Sequence, residues 1–308
     1  MSLIEGADHC TAPSFPRQEP EGGDPRVFRR VAAMLQLERI TPDLYTAHND
    51  TETNPGRLYG GLVAAQALAA AQETVPDGFF VHSLHSVFLR PGRPGVPVRM
   101  RVDRMRDGIS FLSRQVEAEQ DGKVLLSATV SFHRDAEGPE FAAQMPLAPH
   151  PDDPDAGWIP PPFPDFPVRH AFRMREQHVE GQGESVGRRY WIRPALAPPD
   201  GRALHSRLLA FASDFGALSV AARAIGLHDR DPQRRATLDH TLWFHRPVRF
   251  DDWLLIELHT ASVAGTRGLV LGTVHDRSGR HVATIAQEAL LKQARPKGNS
   301  GRGSVSGR

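Results

Sequence analysis

Residues 60–74, Gly-Gly-Leu-Val-Ala-Ala-Gln-Ala-Leu-Ala-Ala-Ala-Gln-Glu-Thr, decide the fold class of this chain. Alanine, leucine and glutamine favour helix. Gln66, Gln72, Glu73 and Thr74 are the only polar side chains in the stretch, so the helix has almost no polar face. A helix apolar on nearly every side must be buried, and something has to wrap it. Four runs of strand character follow, over 80–89, 96–105, 110–118 and 123–133. Pro91-Gly92, Asp107-Gly108 and Asp121-Gly122 separate them and are turn signals. Ahead of the helix, 27–37 has amphipathic helical spacing and 40–48 is a strand candidate.

The same plan recurs further along. Val168, His170, Phe172 and Met174 alternate with Arg169, Ala171, Arg173 and Arg175, the two-residue period of a strand. A short strand is expected at 190–193. Leu204, Leu208, Phe211, Ala212, Phe215, Leu218 and Ala222 form one helical stripe over 203–225. Strands at 237–244, 253–261, 268–275 and 281–290 come next. Arg90-Pro91 ends a strand in the first half and Arg246-Pro247 ends its counterpart in the second. Arg90 to the turn glycine Gly122 is 32 positions, and Arg246 to Gly279 is 33. Two tandem repeats, each a buried helix followed by an antiparallel meander, make an α+β fold in which the two sheets can pair edge to edge and cover their exposed edges.

Composition sets the boundaries. Residues 1–25 are rich in Pro, Gly and acidic side chains and are expected to be a disordered tail, as are residues 294–308. Residues 135–167 carry a run of prolines from Pro146 to Pro167, which removes backbone donors and disfavours helix, so they are expected to link a unit over 26–134 to one over 168–293. The chain is 40% hydrophobic with a formal net charge of +1, which excludes neither enzyme nor binding protein but argues against a nucleic-acid partner. No apolar run is long enough for a membrane span, and neither a signal peptide nor a peroxisomal address is expected from the residues at either end. The single cysteine, Cys10, leaves no disulfide frame, cysteine metal cluster or expected thiol nucleophile. A cytoplasmic location follows as the expectation.

Other chemistries find little support. Among the 15 histidines, His82 and His85, and His240 and His245, stand odd distances apart on strands, so each pair is expected on opposite faces and not as a metal clamp. Gly60-Gly61 lacks the further glycines or lysine of a phosphate loop, and no Gly-x-Ser-x-Gly elbow is present.

Several segments, in order and spacing, resemble the acyl-CoA thioesterase II family. In the first half they are Tyr59-Gly60-Gly61 with Gln66-Ala67-Leu68, His82-Ser83-Leu84-His85-Ser86 through Phe88-Leu89-Arg90-Pro91-Gly92, and Arg106-Asp107-Gly108 with Ser110 and Arg114. In the second they are Ala212-Ser213-Asp214, Thr237-Leu238-Asp239-His240 through Trp243-Phe244-His245-Arg246-Pro247, Trp253-Leu254-Leu255, Arg267-Gly268 and Gln287-Glu288. The resemblance implies a double hotdog, each helix wrapped by a curved antiparallel sheet. It implies an acyl-CoA substrate, hydrolysed to fatty acid and CoA without metal or cofactor. By motif it places a water-activating trio at Asp214, Thr237 and Gln287. Departures are Tyr59, where the family often has Phe, Leu62, where Gln is common, and Ala289, where Gly is common; none removes the trio.

The residue types suit the chemistry. A thioester carbonyl is electrophilic and thiolate leaves readily, so a positioned water suffices. Asp214, flanked by Leu208, Leu209, Ala210, Phe211 and Phe215, is in a setting that raises a carboxyl pKa and makes a better base. Thr237 and Gln287 can orient water but are not bases. Taken singly, each has a plain reading: Asp214 as a cap or kink beside Gly216, Thr237 as an ordinary strand residue, Gln287 as a buried structural hydrogen-bonder. Gly60-Gly61 is a candidate for oxyanion N–H donors, and His240 for a supporting role behind the trio. The arginines Arg90, Arg106, Arg114, Arg246 and Arg267 are not assigned to CoA. Two further readings are a non-catalytic acyl-CoA binder and a hotdog enoyl-thioester hydratase. The latter needs an Asp and a His close in sequence, and no His follows Asp214 until His228. Assembly into dimers or tetramers is open, since each fused sheet can still expose a face.

Overall fold

A computed structural model describes residues 22–158, 167–177, 187–227 and 233–293. Most of the two expected tails, Cys10, His228 and residues 159–166 of the linker lie outside the described residues.

The first helix, α1 (Pro25–Met34), starts ahead of the expected 27–37. Asp24 accepts the Arg26 N–H at 2.7 Å, and Pro25 has no N–H to leave unsatisfied, so the pair forms a strong helix start. The strand expected at 40–48 is instead a hairpin, β1 (Leu37–Thr41) and β2 (Leu44–Ala47), turning at Asp43 with φ 64°. Helix α2 (Gly60–Gln72) is buried from Gly61 to Ala71, as its lack of a polar face requires. Gln66 survives in this core because its amide donates to the Met34 and His48 carbonyls, both at 2.9 Å. Then come β3 (Phe79–Phe88), β4 (Val98–Asp107), β5 (Phe111–Gln120) and β6 (Lys123–Arg134).

In the second half, 167–171 form a 3₁₀ turn and not the start of a strand; β7 (Phe172–Gln177) begins only after it. Pro167 pre-sets a helical φ, and the His170 carbonyl accepts the Asp24 N–H at 2.6 Å. After β8 (Gly187–Pro194) the stripe over 203–225 is two helices, α3 (Arg202–Ala212) and α4 (Ala217–Arg223). Strands β9 (Gln233–Phe244), β10 (Leu254–Ala264), β11 (Arg267–Asp276) and β12 (His281–Gln293) complete the fold.

All strands join one 12-stranded sheet, ordered β1-β2-β4-β5-β6-β3-β9-β12-β11-β10-β8-β7. The order reads the same from either end once second-half strands replace their first-half counterparts. The seam is the antiparallel β3–β9 pair, with Leu84 opposite Leu242 and His85 opposite Thr241. It pairs backbone groups that would otherwise be sheet edges. Repeat-related contacts match atom for atom. Arg90 Nη1 donates to the Val124 carbonyl and Arg246 Nη1 to the His281 carbonyl, each at 2.8 Å. These arginines, with fully buried Arg114 on Asp107 at 2.6 Å, hold turns together. The core is one apolar cluster running through both halves, with α2 packed on α3 inside the curve of the sheet.

The proline-rich segment is more than a spacer. Met145, Ala148 and Trp158 cover Trp191, Trp253 and Leu255 on the face of β8 and β10 opposite the main core. Trp191 Nε1 donates to the Pro149 carbonyl at 3.0 Å. One expectation needs correcting. The β3–β6 register shifts between Val81 and Ser83, which turns His82 to the same outer face as His85. His82 meets Ser131 at 2.8 Å and His85 stacks edge-on to Trp243, so they remain separate contacts.

Candidate active site

Asp214 sits where the expected single helix breaks. After Ala212 the chain passes Ser213, Asp214 and Phe215 to Gly216, whose φ of 92° favours glycine and redirects the backbone into α4. Carbonyls freed by the break need partners. Tyr59 Oη donates to the Phe211 carbonyl at 2.9 Å and Tyr190 Oη to the Phe215 carbonyl at 3.0 Å. The Tyr59 ring also stacks on Phe215 at 5.2 Å. Tyr59, a departure from the family's common Phe, thus uses its hydroxyl on the helix end.

The two other predicted residues converge on this carboxylate from the sheet. Gln287 Nε2 donates to Asp214 Oδ1 at 2.8 Å and to Thr237 Oγ1 at 3.0 Å. Thr237 Oγ1 donates to Asp214 Oδ1 at 3.3 Å. A regular strand would not allow this. His240, Leu242 and Phe244 face the core, so strict alternation would send Thr237 outward. The β9–β12 register shifts so that Glu288 pairs with Asp239 while Ala289 pairs with Thr237, leaving Leu238 as a bulge. The extra residue turns Thr237 inward.

The third anchor comes from the other half. Gly61 N–H, in the first turn of α2, donates to Asp214 Oδ2 at 2.8 Å. A helix N-terminus favours a negative group there. The glycine pair does reach the site, but Gly61 spends its N–H on the carboxylate and not on a substrate oxygen. Close approach explains the glycines: a Cβ on Gly61 would lie 2.4 Å from the Phe211 carbonyl, and one on Gly60 2.9 Å from Asp214 Oδ2. Asp214 is 8% exposed and Gln287 fully buried. Burial raises the Asp214 carboxyl above its ordinary pKa, with His240 and the bonds from Gln287, Gly61 and Thr237 opposing it.

Behind the trio, fully buried His240 joins Ser213 Oγ (2.8 Å, through Nε2) to Gln287 Oε1 (3.0 Å, through Nδ1). Ser213 was visible only as the middle of Ala212-Ser213-Asp214, with no role attached to it. A histidine inside the apolar face of β9, three residues from Thr237, did.

The repeat-related corner of the first half lacks this set. Its bulge at His82 matches Leu238, but Val81 stands for Thr237, Leu84 for His240, and Val130, opposite Leu84, for Gln287. Gln72 there is bound to Ser206 at 2.9 Å and Arg207 at 2.6 Å. A cavity of about 450 Å³ opens at this corner, lined by Val81, Phe132, Arg202 and Phe244, away from Asp214. Among the described residues no cluster of His, Cys, Asp or Glu is arranged to hold a metal, and no helix is long and apolar enough to cross a membrane.

Comparison with known proteins gives a consistent result. Residues 139–291 match the acyl-CoA thioesterase C-terminal domain family and residues 49–133 the acyl-CoA thioesterase N-terminal domain family. Acyl-coenzyme A thioesterase 8 of Mus musculus is 31% identical, over 85% of this chain and 88% of that protein. Acyl-CoA thioesterase 2 of Haemophilus influenzae is 28% identical, over 86% and 98%. Among solved structures, an acyl-CoA thioesterase II from Mycobacterium marinum superposes with a TM-score of 0.73 at 32% identity, covering 86% of this chain and 98% of that one. The chain therefore belongs to the acyl-CoA thioesterase II family and is a thioester hydrolase with the double-hotdog fold.

Proposed function

We propose that the protein hydrolyses medium- or long-chain fatty acyl-CoA to free fatty acid and CoA, with Asp214 as general base toward a water held by Thr237 and Gln287. The observation that carries this reading is the convergence of the Gln287 amide and the Thr237 hydroxyl on one oxygen of a buried carboxylate whose pKa is raised. A base with a raised pKa is better matched to taking a proton near neutral pH. Water oxygen bonds to the thioester carbon as its proton passes to Asp214. The tetrahedral intermediate collapses with cleavage of the C–S bond, and the proton on Asp214 is returned to the departing thiolate. As the water enters beside Asp214 Oδ1, the Thr237 hydroxyl and the Gln287 amide exchange their bonds on the carboxylate for bonds to its oxygen and hold it in line, an orientation effect. Gly61 N–H keeps the carboxylate turned toward them. Aromatic rings beside the carboxylate (Tyr59, Phe215 and, next to Gly60, Phe88) offer apolar surface suited to an acyl chain.

Gln287→Ala is expected to lower kcat about 100-fold, the scale of a lost positioning contact, in free-thiol assays across a ladder of acyl-CoA lengths. Wild-type turnover in that variant would remove Gln287 from the mechanism, and a ladder peaking at short acyl groups would refute the length assignment. The pH profile has a definite sign. The ionised form of Asp214 is the active one and its pKa is raised, so the acid limb of kcat/KM falls at a pH above 3.8, the ordinary Asp value. An acid limb at or below that value would contradict the assignment.

The division into units over 26–134 and 168–293 belongs to the same reading, as do a cytoplasmic location and assembly into dimers or tetramers. Assembly draws support from the outer sheet face at the seam, where Val87 and Trp243 are 51% and 36% exposed. Light scattering that gives a monomer mass would refute it. Cell fractionation tests the location, and a membrane-bound or secreted pool would refute it.

A further inference from the structure

The geometry points to His240 as a positioning residue whose Nδ1–H tautomer, held by Ser213, fixes the direction of the Gln287 amide and so presents both its N–H groups to Asp214 and Thr237. This inference rests on the water-activating role proposed for Gln287.

The argument is a hydrogen-bond accounting. A carboxylate only accepts, so the Gln287 atom 2.8 Å from Asp214 Oδ1 is the NH₂ group. Its second hydrogen goes to Thr237 Oγ1 at 3.0 Å. Gln287 Oε1 then faces His240 Nδ1 at 3.0 Å, and since a carbonyl oxygen only accepts, Nδ1 carries the hydrogen. Burial lowers the His240 pKa and so favours the neutral ring, in which Nε2 is bare. The remaining neighbour, Ser213 Oγ at 2.8 Å, then gives its one hydrogen to Nε2 in preference to its other acceptor, the Ala210 carbonyl at 3.1 Å.

The chain of bonds closes on itself, because Ser213 directly precedes Asp214. It runs from the helix break to β9, across to β12, and back to the carboxylate at the break. The other tautomer breaks it. With hydrogen on Nε2, the Ser213 hydroxyl would turn to the Ala210 carbonyl, 3.1 Å away. Gln287 would then either lose its bond to Nδ1 or turn its oxygen onto the Asp214 carboxylate. A ring hydrogen assigned by one residue thus selects an amide orientation at the next. The first half supports the coupling: where Gln287 is replaced by Val130, its opposite partner His240 is replaced by Leu84, so neither occurs there without the other.

The test is a mutant cycle on the full chain with a direct measurement on the wild type. His240→Leu is expected to lower kcat about 10- to 100-fold with KM changed by less than about twofold, and to cost less than about twofold more when Gln287 is already Ala. His240→Asn, which returns an N–H donor near the position of Nδ1, should recover part of kcat. Equal losses from His240→Leu in both backgrounds, or a loss confined to KM, would overturn the inference. Full activity in Gln287→Ala alone would instead sink the proposed mechanism. Long-range ¹H–¹⁵N NMR on the wild type decides the tautomer whatever the variants do. The Nδ1–H form is expected, and an Nε2–H form overturns the proposal.

Discussion

Replacing Asp214 with Asn lowers kcat for acyl-CoA hydrolysis by about 10²- to 10⁴-fold, the usual contribution of a positioned general base, while acyl-CoA binding persists. The reason lies in the donors around the carboxylate. Gly61 N–H, the Gln287 amide and the Thr237 hydroxyl all point at it, at 2.8, 2.8 and 3.3 Å. An amide at position 214 keeps roughly the same shape but cannot take the proton of the attacking water. It also sets an NH₂ against one of these donors, while relieving the burial that raises the wild-type pKa. These two effects oppose each other, so thermal unfolding should move little while turnover collapses. Steady-state thiol release together with acyl-CoA binding by calorimetry checks it. Hydrolysis equal to wild type would remove Asp214 as the base. Loss of binding with loss of turnover would point to a binding role.

Glu176→Ala lowers stability by about 3–5 kcal/mol, because it removes the carboxylate that pairs with a buried guanidinium. Glu176 and Arg188 are 4% and 2% exposed. Arg188 Nε and Nη2 donate to the two Glu176 oxygens at 2.8 and 2.6 Å, joining β7 to β8 at the end of the sheet. At about 2–4 °C per kcal/mol for a chain of this class, the midpoint of thermal unfolding should fall by roughly 6–20 °C. The site should feel it too. A Cβ on Gly216 would meet Arg188 Nη1 at 3.1 Å, so the guanidinium lies against the turn that presents Asp214. Tyr190, on the same strand, holds the Phe215 carbonyl. We expect kcat to drop further than the unfolded fraction explains at assay temperature. Differential scanning calorimetry with activity measured well below the midpoint checks this, and an unchanged midpoint would refute it.

Much of the fold was legible because its physics is local. An alanine-rich segment without a polar face has to be buried, and α2 is. Alternating runs between Asp-Gly and Pro-Gly turns become strands, and the strands from β3 to β6 lie within a few residues of where the pattern placed them. Errors fell where a backbone irregularity interrupts a period. The stripe over 203–225 continues through Asp214, so the helical period alone does not show the break into α3 and α4, which only the reading of Asp214 as a cap or kink beside Gly216 anticipated. That break depends on two tyrosine hydroxyls from Tyr59 and Tyr190, one from each half. The strand pattern over 168–175 likewise hid a 3₁₀ turn at Pro167, and strict alternation misplaced His82.

The candidate site divides along the same line. Residue types at Asp214, Thr237 and Gln287 are spelled out in the motifs, and a buried Gln in an apolar strand flags itself by its need for partners. Their meeting is not spelled out. Asp214 and Gln287 are 73 positions apart, and Gly61 and Asp214 are 153. Thr237 faces inward only because Leu238 bulges, and a bulge is a property of two paired strands, not of either strand alone. Side-chain chemistry and its periodicity, which are local, determined that this chain builds two wrapped helices and carries a carboxylate, a hydroxyl and an amide in its motifs. Long-range strand register, the β3–β9 seam and the helix break decided that the hydroxyl and the amide meet on that carboxylate, in one half and not the other, because only pairing between distant segments fixes which way each side chain points.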